Sequence, residues 1–343
     1  MSFESLTERE KEILRSLIEH YITTAEPVGS RSIAGKYGMG ISSATIRNTL
    51  QDLEEMGLIK QPHTSAGRVP TDKGYRIYVD DLLEPETLTR SEQERIEKQI
   101  ALDYAAVENL LEQTSHILGL VSNQLGVTIG PRFEQEILTH VDLIPVAEKK
   151  VLIVLAIKSG LVRSILLEAD SPLKGKELDE TKVILNERLC GLSLGMIRKD
   201  MDQRVKDASS GNPRLIRLFL DSKYAILNFP DVEQIHLGGT ANILSQPEFR
   251  NYEKLRSLIQ FIEEKKMLAE LFSSGEIKEG ITVTIGREIE RDEMQFCSLV
   301  ASRYQAGEFK GTIGIVGPTR MRYSKLVSLV GYTAKVLSQV LSE

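Results

Sequence analysis

The sequence predicts a multidomain α+β chain: an N-terminal winged helix-turn-helix, then an α/β sheet domain interrupted by a helical insertion. Three observations predict it. Residues 41–74 read as an amphipathic helix with a polar reading edge, followed by a short hairpin. Apolar runs of strand length stand at 151–157 and 162–167, and again at 281–285, 296–304 and 311–317, on either side of a segment with helical periodicity. And 343 residues exceed a single ordinary core, so two or three domains are expected.

Thr7 with Glu10 three residues on forms a capping box, and Ile13, Leu14, Leu17, Ile18 and Tyr21 form the stripe of a first helix. Pro27 and Gly29 end it. Ser30 caps a short second helix carrying Ile33, Ala34 and Tyr37, and Gly38-Met39-Gly40 makes a tight turn. In the third helix Ser42 or Ser43 is the N-cap, and Ile46, Leu50 and Leu53 share one face. Gly57 stands where a left-handed C-terminal cap belongs.

Counting about 100° per residue places Ala44, Arg47, Asn48 and Gln51 opposite that face. Arg, Asn and Gln carry the donors and acceptors that match base edges in the major groove. Arg47 is the candidate for a guanine contact, with Asn48 and Gln51 next. Ser30, Arg31, Ser42, Ser43 and Thr45 are placed to hold phosphates. Asp52, Glu54 and Glu55 would be repelled by phosphates, so only the N-terminal half of the helix can approach DNA. Taken alone, this helix is as readily a short amphipathic helix with a solvated face.

Residues 58–59 and 68–70 read as a two-stranded wing around the loop 63–67, where Thr64, Ser65 and Arg68 suit a backbone or minor-groove contact. His63 has no second His or Cys nearby and reads as a surface or phosphate-facing side chain, not a metal ligand. Thr71 caps a fourth helix with Tyr75, Tyr78, Val79 and Leu82 inward.

The formal charge is −6, so the chain as a whole is not a polyanion binder. Residues 28–79 carry a local balance of +3, which confines a nucleic-acid contact to the N-terminus. Cys190 and Cys297 read as separate buried thiols in a reducing compartment. The N-terminus shows no signal region and no apolar run approaches a membrane span, so a cytoplasmic protein is expected.

Beyond Pro85, residues 83–90 read as a polar linker. Ser91 and Glu94 read as a capping box for a helix with the stripe Ile96, Ile100, Tyr104, Val107, Leu111, Leu118, Val121 and Leu125, broken near 114–116. The middle, 173–235, is helical in pattern through Val183, Leu185, Leu189, Leu192 and Met196, then Leu215, Ile216, Phe219 and Leu220. Its apolar content exceeds what one thin layer buries against itself, which points to a partner subunit. An amphipathic helix with Leu326, Val330, Ala334, Leu337 and Leu341 closes the chain.

No enzyme emerges. Gly238-Gly239-Thr240 and the glycines of 311–317 complete neither GxGxxG nor a P-loop and read as strand-edge turns. Arg287-Glu288 and Glu290-Arg291 read as solvated charges. No catalytic, metal or cofactor-binding residues are expected.

PVGSR at 27–31, SSATIRN at 42–48, LEEMG at 53–57 and HTSAGRVPTDKGYRIYVD at 63–80 resemble the heat-inducible transcription repressor HrcA family. VLIVLAIKSG, HLGGTANIL and GIVGPTRMRY carry the resemblance, more weakly, toward the C-terminus. It implies a homodimeric repressor of class I heat-shock operons that binds double-stranded DNA at an inverted-repeat operator of the CIRCE type. It further implies a GAF-like domain interrupted by a dimerising insertion, and modulation by the GroE (GroEL-type) chaperonin. The expected domains are 1–85 (winged helix), 86–172 and 236–343 (GAF-like), and 173–235 (inserted, dimerising). The alternative is a winged-helix repressor whose GAF-like domain senses a small metabolite, which its ligand would stabilise against unfolding.

Overall fold

The computed structural model describes the chain apart from residues 1–5, 38–40, 64–65, 102–106, 131–135, 159–161, 207–211, 228–234, 274–279, 307–308 and 343. The turn expected at Gly38-Met39-Gly40 lies outside the described residues.

Helix α1 (Glu8–Thr24) starts at the expected capping box: Glu10 N–H donates to Thr7 Oγ1 at 3.3 Å, and Thr7 N–H to Glu10 Oε2 at 2.6 Å. It stops before Pro27, with Ala25 left-handed at φ 58° and its N–H on the Tyr21 carbonyl. Helix α2 (Ser30–Tyr37) begins at Ser30 itself, with Ile33 N–H on the Gly29 carbonyl, so Ser30 is the first helical residue and not the cap. Then come α3 (Ser43–Glu55), the antiparallel pair β1 (Ile59–Lys60) and β2 (Val69–Pro70), α4 (Asp72–Ile77) and a π turn at Tyr78–Leu82. Ile13, Leu14, Leu17, Ile18, Ile33, Ile46 and Leu53 are fully buried and form the core of this winged helix.

The segment after Pro85 is no free linker: Glu86 N–H donates to the Ser324 carbonyl at 3.1 Å, and Leu88 is buried. Helix α5 (Arg90–Ala101) is capped by Thr89 with Glu92, not by Ser91 with Glu94. Helix α6 (Val107–Ser122) runs unbroken through 114–116, where the Thr114 hydroxyl satisfies itself on the Leu110 carbonyl at 2.7 Å. Strand β3 (Leu125–Ile129) follows.

At Ile129 the chain leaves this compact unit and returns at Ile235; residues 130–234, together with 305–311, form a second one. It holds β4 (Leu138–Ala147), β5 (Lys150–Ile157) and β6 (Val162–Glu168) in a three-stranded antiparallel meander, then α7 (Gly175–Leu189), α8 (Leu194–Lys206), α9 (Pro213–Asp221) and α10 (Lys223–Leu227). The strands at 151–157 and 162–167 were expected in one sheet with the C-terminal strands, and the boundary at 173. Both expectations are corrected: hairpin neighbours pair locally, and Val141, Ile153 and Leu155 bury their face under Leu185, Ile197 and Phe219 of the helices. Val183 and Met196, expected in the helical stripe, are exposed. So are Ile144, Val146, Val162 and Leu166 on the sheet's opposite face.

The first unit resumes with β7 (Ile235–Gly238), α11 (Thr240–Leu244), α12 (Tyr252–Glu263), α13 (Lys265–Ser273), β8 (Ile281–Ile285), β9 (Cys297–Ala306), β10 (Phe309–Pro318) and α14 (Tyr323–Val340). Its five-stranded sheet has the order β7-β3-β10-β9-β8. One face packs on Phe249, Phe261 and Phe272; burying each such side chain stabilises by roughly 1.5–3 kcal/mol. On the other face α6 lies directly on sheet backbone, because a Cβ at Gly126 or Gly238 would overlap the Ser115 carbonyl. Gly239, at φ 79°, makes the turn into α11, as the strand-edge reading of Gly238-Gly239-Thr240 requires.

Lys325 of α14 meets Glu92 of α5 at 2.6 Å. The Lys325 ammonium, and then the Thr89 backbone N–H, hold the Glu92 carboxyl at about 2, below its ordinary 4.5. A carboxyl lowered on folding contributes stability that is full above 4.5 and lost as pH falls through about 2. Glu92→Gln should therefore lower stability at pH 7 by on the order of 1 kcal/mol, after solvent screening. In denaturant unfolding at a series of pH values, the gap from the parent should close between about 4.5 and about 2.

Candidate nucleic-acid interface

Ser42, in extended backbone at φ −69° and ψ 150°, is the cap of α3: its Oγ accepts Thr45 N–H at 3.1 Å and lies 2.9 Å from Thr45 Oγ1. Such a cap is worth about 1 kcal/mol. At the other end Gly57 takes φ 73°, with its N–H on the Glu54 carbonyl (2.9 Å) and Leu58 N–H on the Leu53 carbonyl (3.0 Å), a Schellman closure. Between these stops Ile46, Leu50 and Leu53 are buried, and α3 packs on α1 and α2. Its rotation about its own axis is thereby fixed.

The opposite edge points outward. Ala44, Arg47, Asn48 and Gln51 are exposed, and Arg47 and Asn48 make no hydrogen bond or ion pair among the described residues. Gln51 Nε2 rests on Glu55 Oε1 at 3.2 Å. Ser42 is exposed, while Ser43 and Thr45 are half-buried at the positive end of the helix, where unpaired N–H groups favour an anion. On α2, Arg31 is exposed and Ser30 half-buried. The geometry thus gathers the α3 residues at one helix end and edge, with a guanidinium, an amide and hydroxyls able to meet base edges and phosphates.

The wing is braced from inside. Arg68 donates Nε (3.1 Å) and Nη2 (2.8 Å) to Glu54 Oε2, while Glu54 Oε1 accepts Gln61 N–H at 3.0 Å. Arg68 and Val28 exchange backbone bonds of 2.8 Å, which lays the 27–31 segment beside the wing. Gly67 permits this approach: a Cβ there would meet the Val28 carbonyl carbon at 2.5 Å. Thr71 caps α4 through Gly74 N–H (3.1 Å), and its hydroxyl also reaches the Gly57 carbonyl at 2.7 Å. His63 is exposed at the hairpin tip, where its carbonyl accepts Ala66 N–H at 2.9 Å. Thr64 and Ser65 lie outside the described residues.

Sequence reasoning treated Glu54 only as a phosphate-repelling acid and Arg68 only as a wing contact. Periodicity gave no signal of their pairing, because the bond crosses from a helix to a hairpin strand fourteen positions away.

Residues 5–81 match the family model described as winged helix-turn-helix transcription repressor, HrcA DNA-binding, and residues 108–327 match HrcA protein C terminal domain. The heat-inducible transcription repressor HrcA of Geobacter sulfurreducens is 39% identical over 337 residues, spanning 98% of both chains. That of Pelotomaculum thermopropionicum is 36% identical over 337 residues, 98% of this chain and 97% of its own. A crystal structure described as that of a hypothetical protein shares the fold at a TM-score of 0.67, with 26% identity over 98% of this chain and 99% of that one. Among the described residues no helix is long and apolar enough to cross a membrane. The chain belongs to the HrcA family of heat-inducible winged-helix transcription repressors, DNA-binding regulators and not enzymes.

Proposed function

We propose that two copies of this chain form a dimeric repressor that grips an inverted-repeat operator of the CIRCE type, silences class I heat-shock operons in the cytoplasm, and is modulated by the GroE chaperonin. The Arg47–Asn48 edge of α3 carries the DNA-reading part: among the described residues nothing consumes those donors and acceptors. Ser30, Arg31, Ser42, Ser43 and Thr45 hold phosphates. Ala44, exposed on the same edge, offers its methyl group for an apolar base contact, and His63, Thr64 and Ser65 meet the backbone at the wing. Arg68 acts through Glu54, keeping the hairpin at its angle to α3.

The dimer reading is supported by the outer face of the β4–β5–β6 sheet, where Ile144, Val146, Val162 and Leu166 stand 42–62% exposed. The unit that carries them interrupts the first at 129 and 235, as an inserted dimerising domain does. A GAF-like first unit is supported by its five-stranded sheet with helices on both faces. The phenylalanines filling one of those faces weigh against a metabolite pocket on that face. Heat would act by lowering the folded, dimeric population of a marginally stable repressor, and chaperonin would restore it.

Operator titrations test this directly: the full chain should prefer its inverted repeat to random duplex. Arg47→Ala should cost about 1–3 kcal/mol and relax discrimination at one base pair per half-site. Undiminished discrimination removes Arg47 from the reading edge.

Arg68→Ala and Glu54→Ala should weaken operator binding to a similar degree, with the double variant little worse than either single one. The salt dependence should stay as in the parent. A slope reduced by about one per subunit in Arg68→Ala would instead make Arg68 a phosphate ligand.

Ile144→Asp combined with Leu166→Asp should leave the chain folded, since both residues are about half exposed and outside the core, and yield monomers in sedimentation. Dimers that persist at micromolar concentration would move the interface elsewhere.

A further inference from the structure

The winged helix is seated on the sheet domain through a compact set of directional contacts. Arg76, in the last turn of α4, has every guanidinium nitrogen engaged. Nε and Nη2 form a fork on Glu288 (2.8 and 2.5 Å), Nη2 also meets the Val283 carbonyl (2.5 Å), and Nη1 holds Asp80 (2.9 Å). One turn earlier, the Asp72 carboxylate accepts Arg287 N–H at 3.1 Å. It occupies the space beside Gly286, where a Cβ would overlap it and where φ is 56°.

Glu288 is itself fixed, since Ile285 N–H donates to its Oε2 at 2.8 Å. Beside this lock the buried rings of Tyr75 and Tyr323 meet at 5.8 Å, and Arg320 donates to the Ile22 carbonyl at 2.7 Å. Arg287 and Glu288, read from the sequence as solvated charges, are the receiving half of this seat.

A hydrophobic patch alone would let the winged helix swivel. Two paired contacts one helical turn apart, both directional, define an angle. We propose that Asp72 and Arg76 with the 286–288 turn form an indexing joint. The joint sets the angle at which each reading helix is presented, and so the half-site spacing that the dimer accepts. The inference rests on the dimeric, inverted-repeat reading above. Asp72, Arg76 and Glu288 are positioning residues: none of them lies on the Arg47–Gln51 edge. Their influence on DNA is geometric, because each inserted base pair turns one half-site by about 34° and moves it by about 3.4 Å. A head held at one angle must reject most spacings, and a loosened head tolerates them.

The test uses the full-length dimer, a series of synthetic operators with the half-sites moved together or apart by one to four base pairs, and a duplex carrying one half-site. The parent should favour one spacing by about tenfold or more, since simultaneous engagement is lost when geometry forbids it. Glu288→Ala and the milder Asp72→Asn should flatten that preference to about threefold or less, at unchanged single half-site affinity and unchanged dimer in sedimentation. Arg76→Lys, which keeps the charge and loses the fork, should fall between them and the parent. If the variants keep the parent's spacing profile, the joint is merely structural and the inference is overturned, even where their melting temperatures fall. If the parent itself shows no preference for any inverted repeat, the dimeric-repressor reading fails first and takes this inference with it.

Discussion

The side of α3 that is buried decides what the molecule can present to DNA. Ile46, Leu50 and Leu53 are apolar at helical spacing, and their removal from water against α1 and α2 leaves a single rotational setting for the helix. Once that setting is taken, Arg47 and Asn48 face outward without a competing partner among the described residues. The Ser42 cap and the Gly57 closure fix where the helix starts and stops, so the outward edge is defined in length as well as direction.

Arginine recurs wherever an orientation has to be held. Arg68 ties the wing to α3, Arg76 ties α4 to the 286–288 turn, and Arg320 bridges Glu248 and the end of α1. Exposed ion pairs contribute little free energy. A planar guanidinium forked on a half-buried carboxylate contributes direction, which a lysine ammonium cannot. These pairs matter for geometry more than for stability.

The distribution of charge fits the same division of labour. The excess of positive charge sits in 28–79 while the whole chain is acidic, so association with nucleic acid is steered to one end. Glu54, which seemed to oppose DNA, is neutralised by Arg68 and adds no free negative charge beside the reading edge. In the second unit Ile144, Val146, Val162 and Leu166 leave apolar surface on one sheet face, where alternation along β6 puts every other side chain outward.

The sequence by itself determined the winged helix, its capping residues at Thr7 and Thr71, the left-handed Gly57 and the outward Arg47 edge. All of these are local: a cap, a turn or a helical stripe is decided within a few residues of itself, where propensity and periodicity act. Among the described residues, five of the eight strands after the wing were legible for the same reason, but not β3, β4 and β7, nor the grouping of any of them. That 151–157 and 162–167 belong to a separate meander, while β3 pairs with β7 and β10, was decided by which apolar faces the tertiary structure brought together. Likewise the Glu54–Arg68 brace and the seating of Asp72 and Arg76 on residues more than two hundred positions away follow from contacts across elements. A sequence pattern carries no distance between such residues. Only the packed chain sets which charges meet.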